Sequence, residues 1–177
     1  MQSLSVLSET ESAESSDSDT AYTPTHTTMN PEDPDAFERF SMGGIPTVPE
    51  AGGTYMIRDL DSGRAITLVA GRVSLERDAS RNGGWRWHCV EKDDGWLGFR
   101  ETVSGKYLGR DGSGGFRVKA DRFDFWESLV LRPIKEGGYH IMAMHWWTFR
   151  RMGIAKEGNL VECASRDGAA RWEFIEV

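Results

Sequence analysis

The densest concentration of recognition chemistry in this chain is the run His145-Trp146-Trp147-Thr148-Phe149-Arg150-Arg151. It brings two indole faces, an imidazole and two guanidinium forks together. Indole faces attract cations and pack against apolar ring faces, while arginine's planar fork pairs with carboxylates, phosphates and hydroxyl-rich partners. His145, Trp146, Trp147, Arg150 and Arg151 are therefore the candidate ligand-binding set. Such groups hold a partner; they do not by themselves break a bond.

Other constellations carry less. Asp93-Asp94 precedes Gly95 and reads as a turn, whereas a paired-acid hydrolase needs two carboxylates converging from different strands. His88 and Cys89 are strand neighbours, so their side chains point to opposite faces and do not form a nucleophile and its base. His88, His140 and His145 lack metal-site spacing. Gly112-Ser113-Gly114-Gly115 lacks the lysine and the following helix of a phosphate loop. The expectation is a non-enzymatic protein with no catalytic residue, no metal and no cofactor; the alternative is an enzyme or pathway accessory protein using a pocket of its fold, which convergent His, Asp and Arg side chains around a deep cavity would favour.

The elements that must position the candidate set are set by a repeat. Gly53-Thr54-Tyr55, Gly95-Trp96-Leu97 and Gly138-Tyr139-His140 open three segments spaced 42 and 43 residues apart. Ser62-Gly63-Arg64 and Ser104-Gly105-Lys106 recur at the same spacing, and Gly71, Gly115 and Gly158 each precede a short apolar run. Glycines at fixed offsets between alternating runs mark hairpins, because they supply the positive φ of tight turns. Strands are expected at 54–59, 64–69, 72–77 and 85–91, then 96–101, 106–109, 115–120 and 126–132, then 138–144, 149–154, 159–164 and 171–177.

Twelve strands in three units, each too small to bury its own apolar face, predict an all-β chain: a β-trefoil of three four-stranded repeats (53–92, 93–135 and 136–177). A propeller needs more blades, and a sandwich has no reason to repeat at this period. Trp87, Trp126 and Trp172, at offsets of 34, 31 and 34 from the opening glycines, are expected on the late strand of each unit as core plugs with Tyr55, Tyr107 and Tyr139. Trp146-Trp147 has no counterpart in the other units and falls where the last unit's first strand turns toward its second. Its alternative to ligand contact is that one indole seals the barrel bottom while the other packs on the N-terminal tail.

That tail, residues 1–52, holds ten acidic residues against Arg39 alone, a formal charge of −9; the whole chain is at −7, so the repeats carry +2. The stretch 3–28 is mostly Ser, Thr, Glu and Asp and cannot bury enough to offset its ordering entropy, so disorder is expected. Thr23-Pro24 is a candidate phosphorylation site, and Phe37, Phe40 and Met42 are candidates to pack on the domain. A net +2 is too small for a nucleic-acid footprint. No secretory signal or run of membrane-spanning length is visible, no Asn-x-Ser/Thr acceptor occurs, and Cys89 and Cys163 fall in strands of different units. A cytoplasmic setting follows, with the nucleus open, and a protein or glycan as partner.

The middle unit, from Gly98-Phe99-Arg100 through Ser104-Gly105-Lys106-Tyr107-Leu108-Gly109-Arg110 to Val118-Lys119-Ala120, resembles repeats of the fascin-like, actin-crosslinking-type β-trefoils. The unit from Gly138 and the closing Trp172-Glu173-Phe174-Ile175 are similar, so the resemblance spans roughly 53–177. Single-trefoil proteins of filamentous fungi are similar too. The resemblance implies the trefoil fold and adds actin as a candidate partner; fascin bundles filaments with several trefoils in series, and this chain has one. Ricin-type lectin repeats carry Gln-x-Trp, and Gln2 is this chain's only glutamine, so that subfamily is excluded on its motif. Two cysteines do not provide the bridges of protease-inhibitor trefoils.

Overall fold

The computed structural model describes residues 47–79 and 83–177. Their strands are β1 (Thr54–Asp59), β2 (Ala65–Val69), β3 (Arg72–Glu76), β4 (Trp87–Glu91), β5 (Leu97–Glu101), β6 (Tyr107–Arg110), β7 (Phe116–Ala120), β8 (Leu129–Pro133), β9 (Tyr139–His145), β10 (Thr148–Ile154), β11 (Leu160–Cys163) and β12 (Trp172–Glu176). One 3₁₀ turn, Phe125–Glu127, precedes β8.

All pairing is antiparallel, and six strands close on themselves. β1 pairs with β4, β4 with β5, β5 with β8, β8 with β9, β9 with β12, and β12 returns to β1. Closure removes the free edges that an open sheet would expose. β2–β3, β6–β7 and β10–β11 are hairpins, and a bridge from Gly115 to Val161 ties the second to the third. The barrel is filled by Trp87, Phe99, Leu129, Trp172 and Phe174, all fully buried. Trp87 Nε1 donates to the Ile66 carbonyl (2.9 Å) and Trp172 Nε1 to that of Met152 (3.4 Å), so each buried indole keeps its polar atom satisfied.

Trp126 does not share that role, which corrects the sequence expectation. The residue 34 positions after Gly95 is Leu129, and it is Leu129 that is buried on β8. The shorter offset leaves Trp126 on the preceding 3₁₀ turn. That turn is fixed by a capping box: Asp124 accepts from Phe125 N–H (2.8 Å), and Glu127 accepts from Asp124 N–H (3.2 Å).

Of the tail, only residues 47–52 are described, and they are docked. Thr47 N–H donates to the Phe174 carbonyl (2.9 Å) and Glu50 N–H to the Tyr55 hydroxyl (2.9 Å). The expected disorder of 3–28, Thr23-Pro24 and the Phe37–Met42 stretch lie outside the described residues.

Candidate functional site

β9 and β10 are joined by Trp146 and Trp147 alone, between the paired residues His145 and Thr148. The Thr148 hydroxyl donates to the His145 carbonyl (3.2 Å). Trp146 has φ 55°, a left-handed conformation that costs a bulky L-residue about 1–2 kcal/mol. Trp146 is 76% and Trp147 94% exposed, so neither indole seals the barrel. Both stand in solvent at the hairpin tip.

Alternation along the pair separates the candidate residues. His145, Ala143, Thr148 and Arg150 share one face; Met144, Phe149 and Arg151 share the other. Ala143 is buried in the core, so the first face is the barrel interior prolonged past its rim. Glu162 joins this face through its pairing with Met152. On the opposite face Phe149 stacks on Trp96 (5.9 Å, 27°), and Arg151 donates from a terminal nitrogen to the Ala164 carbonyl (3.3 Å). Arg150 thus belongs with His145, and Arg151 does not.

Behind His145 lies a buried ion pair that sequence reasoning missed. Arg110, 5% exposed at the end of β6, donates through Nε to Glu162 and through one terminal nitrogen to the Met144 carbonyl (2.5 Å). Its other terminal nitrogen stands 2.8 Å from His145 Nδ1, and the Glu162 Oε2 stands 2.6 Å from the same atom. One ring nitrogen cannot accept from the guanidinium and donate to the carboxylate at once. The shorter, charge-assisted contact decides it: we assign the proton to Nδ1, donating to Glu162, which leaves Nε2 as the acceptor on a side chain 31% exposed.

Arg110 also lies 5.2 Å from the centre of the Trp126 ring. A Cβ at Gly112 would come within 2.9 Å of that ring, so glycine there leaves room for the indole against the loop. Trp126 is 41% exposed. Buried Arg110 therefore links Trp126, which lies over it, to His145, which precedes the Trp146–Trp147 tip. The only hint in the sequence was the anomalous offset of Trp126; nothing local links Arg110 to Glu162.

The weaker constellations behave as turn and strand residues. Cys89 is fully buried, and that burial, with Glu91 nearby, pushes its thiol up to about 11. His88 Nδ1 faces the Thr54 hydroxyl at 3.4 Å. A cavity of about 370 Å³ lies where β3, β7 and β11 meet, lined by Val73, Phe116, Leu160, Asn159 and the Asp111–Gly115 turn. Its one ionisable group, Asp111, is raised by burial but held lower overall by the N–H groups of Gly115 (2.9 Å) and Ser113 (2.7 Å). No group of three or more His, Cys, Asp or Glu among the described residues is arranged to hold a metal ion.

No family model matches the chain, and no curated protein does. Solved structures do. A designed 3-fold symmetric protein, ThreeFoil, matches with a TM-score of 0.60 at 17% identity, over 71% of this chain and 99% of its own. The Macrolepiota procera ricin B-like lectin, in complex with lactose, matches with 0.58 at 17% identity, over 74% of this chain and 100% of its own. A GlcNAcα1-4Gal-releasing endo-β-galactosidase from Clostridium perfringens matches with 0.62 at 17% identity over 71% of this chain. The matched region spans 32% of that galactosidase's length. These likenesses establish the fold as a β-trefoil.

Proposed function

We propose that this chain is a non-catalytic recognition module that binds a glycan at the tip of the β9–β10 hairpin. The observation that carries it is the pair of exposed indoles held at a strained, two-residue turn beside a polar set fixed from behind. Trp146, Trp147 and Trp126 supply ring faces, His145 Nε2 an acceptor, and Arg150, which makes no ion pair or hydrogen bond among the described residues, the donors. A lectin among the structural neighbours fits a glycan partner. The pairing order also supports reading β1–β4, β5–β8 and β9–β12 as three copies of one four-stranded unit, of which only the last carries the indole tip.

An array of immobilised oligosaccharides tests the reading. Selective retention, lost in Trp147→Ala, is the expected result; silence on the array together with specific recovery of a protein from extract would replace the glycan by a protein partner. The fascin-like resemblance, carried by Gly105-Lys106-Tyr107-Leu108-Gly109 on and before β6, makes actin the next candidate, which co-sedimentation with filaments decides. A reducing, cytoplasmic setting belongs to the same proposal, since Cys89 and Cys163 are both unpaired thiols.

A further inference from the structure

The outer face of the same sheet, opposite the one carrying His145, holds a second charged cluster. Arg132 of β8 pairs with His140 of β9, and Arg151 of β10 pairs with Met142 of β9. His140 and Met142 lie on one face, so the two arginines flank β9 there from either side. After Cys163 the chain folds back over this face. Ala169 bridges to Gly153, the Ala164 carbonyl accepts from Arg151, and the Ala170 carbonyl accepts from His140 Nδ1 at 3.2 Å. A Cβ at Gly153 would stand 2.4 Å from the Gly168 carbonyl, so glycine is what lets the crossing lie so close. Arg166 rides on that crossing, exposed.

Three arginines from three elements, β8, β10 and the crossing segment, thus act on His140, with Arg132 directly opposite it across the β8–β9 pair and Arg151 opposite Met142 on the same face. Burial first, then the charges of Arg151, Arg166 and Arg132, hold the His140 pKa below its ordinary value, so the imidazole adds no charge at neutral pH. The cluster therefore carries three positive charges. Among the described residues none of the three has a carboxylate within ion-pair reach, although Asp167 adjoins Arg166 in sequence; Arg58, Arg110 and Arg171, by contrast, pair with Glu173, Glu162 and Asp61. Arg151 Nε is buried with no hydrogen-bond partner. Like charges gathered by the fold, with donors unfilled, favour a compact multivalent anion that several planar forks can grip at once.

We propose that Arg132, Arg151 and Arg166 form a binding site for a tetrahedral oxyanion, a phosphate or sulfate group. The site lies on the face opposite His145. Titrating the full chain with sodium phosphate and with sodium sulfate, against sodium chloride at equal ionic strength, tests it. The expected result is a saturable rise in Tm with one or both oxyanions, together with an upward move of the His140 titration midpoint by NMR as the anion offsets the arginine charges. The stronger of the two oxyanions identifies whether a phosphate or a sulfate ester is the source. Arg132→Gln with Arg166→Gln, both exposed positions that leave the core intact, is expected to weaken the response about tenfold or more through loss of two charge-assisted contacts. A response that does not saturate, or that is equal in chloride or in the double variant, overturns the proposal.

Discussion

Three connections leave the barrel rim after β1, β5 and β9, and two of them are alike while the third is not. After β1, buried Asp59 accepts from Ser62 N–H (2.9 Å), the Ser62 hydroxyl accepts from Arg64 N–H (3.3 Å), and Gly63 takes φ 67°. After β5, buried Glu101 accepts from Val103 N–H (2.9 Å) and Ser104 N–H (2.6 Å), the Ser104 hydroxyl from Lys106 N–H (3.3 Å), and Gly105 takes φ 68°. Both turns feed their backbone donors to an inward carboxylate and give the left-handed position to glycine, as turn chemistry prefers. After β9 there is no such carboxylate and no glycine. A tryptophan occupies the left-handed position, and the nearest buried acid, Glu162, comes from another strand and grips His145 instead. The first two turns are arranged for stability; the third accepts strain and exposed indoles, which is where function is expected to concentrate.

The largest effect should come from the foundation of the third connection. Glu162→Ala leaves Arg110 charged and buried without its partner, and should cost about 3–5 kcal/mol in denaturant unfolding. A loss under about 1 kcal/mol would mean that the tip does not rest on that pair. Next, Glu101→Ala strips two N–H groups of a charged acceptor and should cost about 3 kcal/mol, yet leave retention on glycans unchanged, since this turn lies apart from the indole tip. Trp147→Ala should do the reverse: stability within about 0.5 kcal/mol of the parent, with glycan retention down about tenfold or more, equivalent to about 1.4 kcal/mol. Trp146→Gly relieves the left-handed strain and should gain about 1 kcal/mol while weakening retention; a loss of stability would show that the turn is not strained.

The smallest effect expected is a pH dependence on the outer face. The folded pKa of His140 lies below its unfolded value of 6.5, so its contribution to stability is complete above that value and is lost as pH falls through the folded pKa. Replacing it by Asn, which keeps a donor for the Ala170 carbonyl, should flatten the acid limb of stability against pH. A limb unchanged in the variant would assign the dependence to other groups.

The sequence by itself determined the all-β character, the twelve strands with ends mostly within one or two residues, and the place of the indole tip. These are local properties: alternation, glycine at positive φ, and a Trp146-Trp147 pair without counterpart in the other units. Arg150 and Arg151 were grouped in one set on the sequence, but strand alternation puts neighbours on opposite faces and the register separates them. Only the tertiary structure decided that Trp126 belongs to the surface, that Arg110 and Glu162 meet behind His145, and that Arg132, Arg151 and Arg166 all act on His140. Those contacts join residues far apart along the chain through barrel closure and through a segment folding back over Gly153, and no pattern of spacing encodes which distant strands will be neighbours.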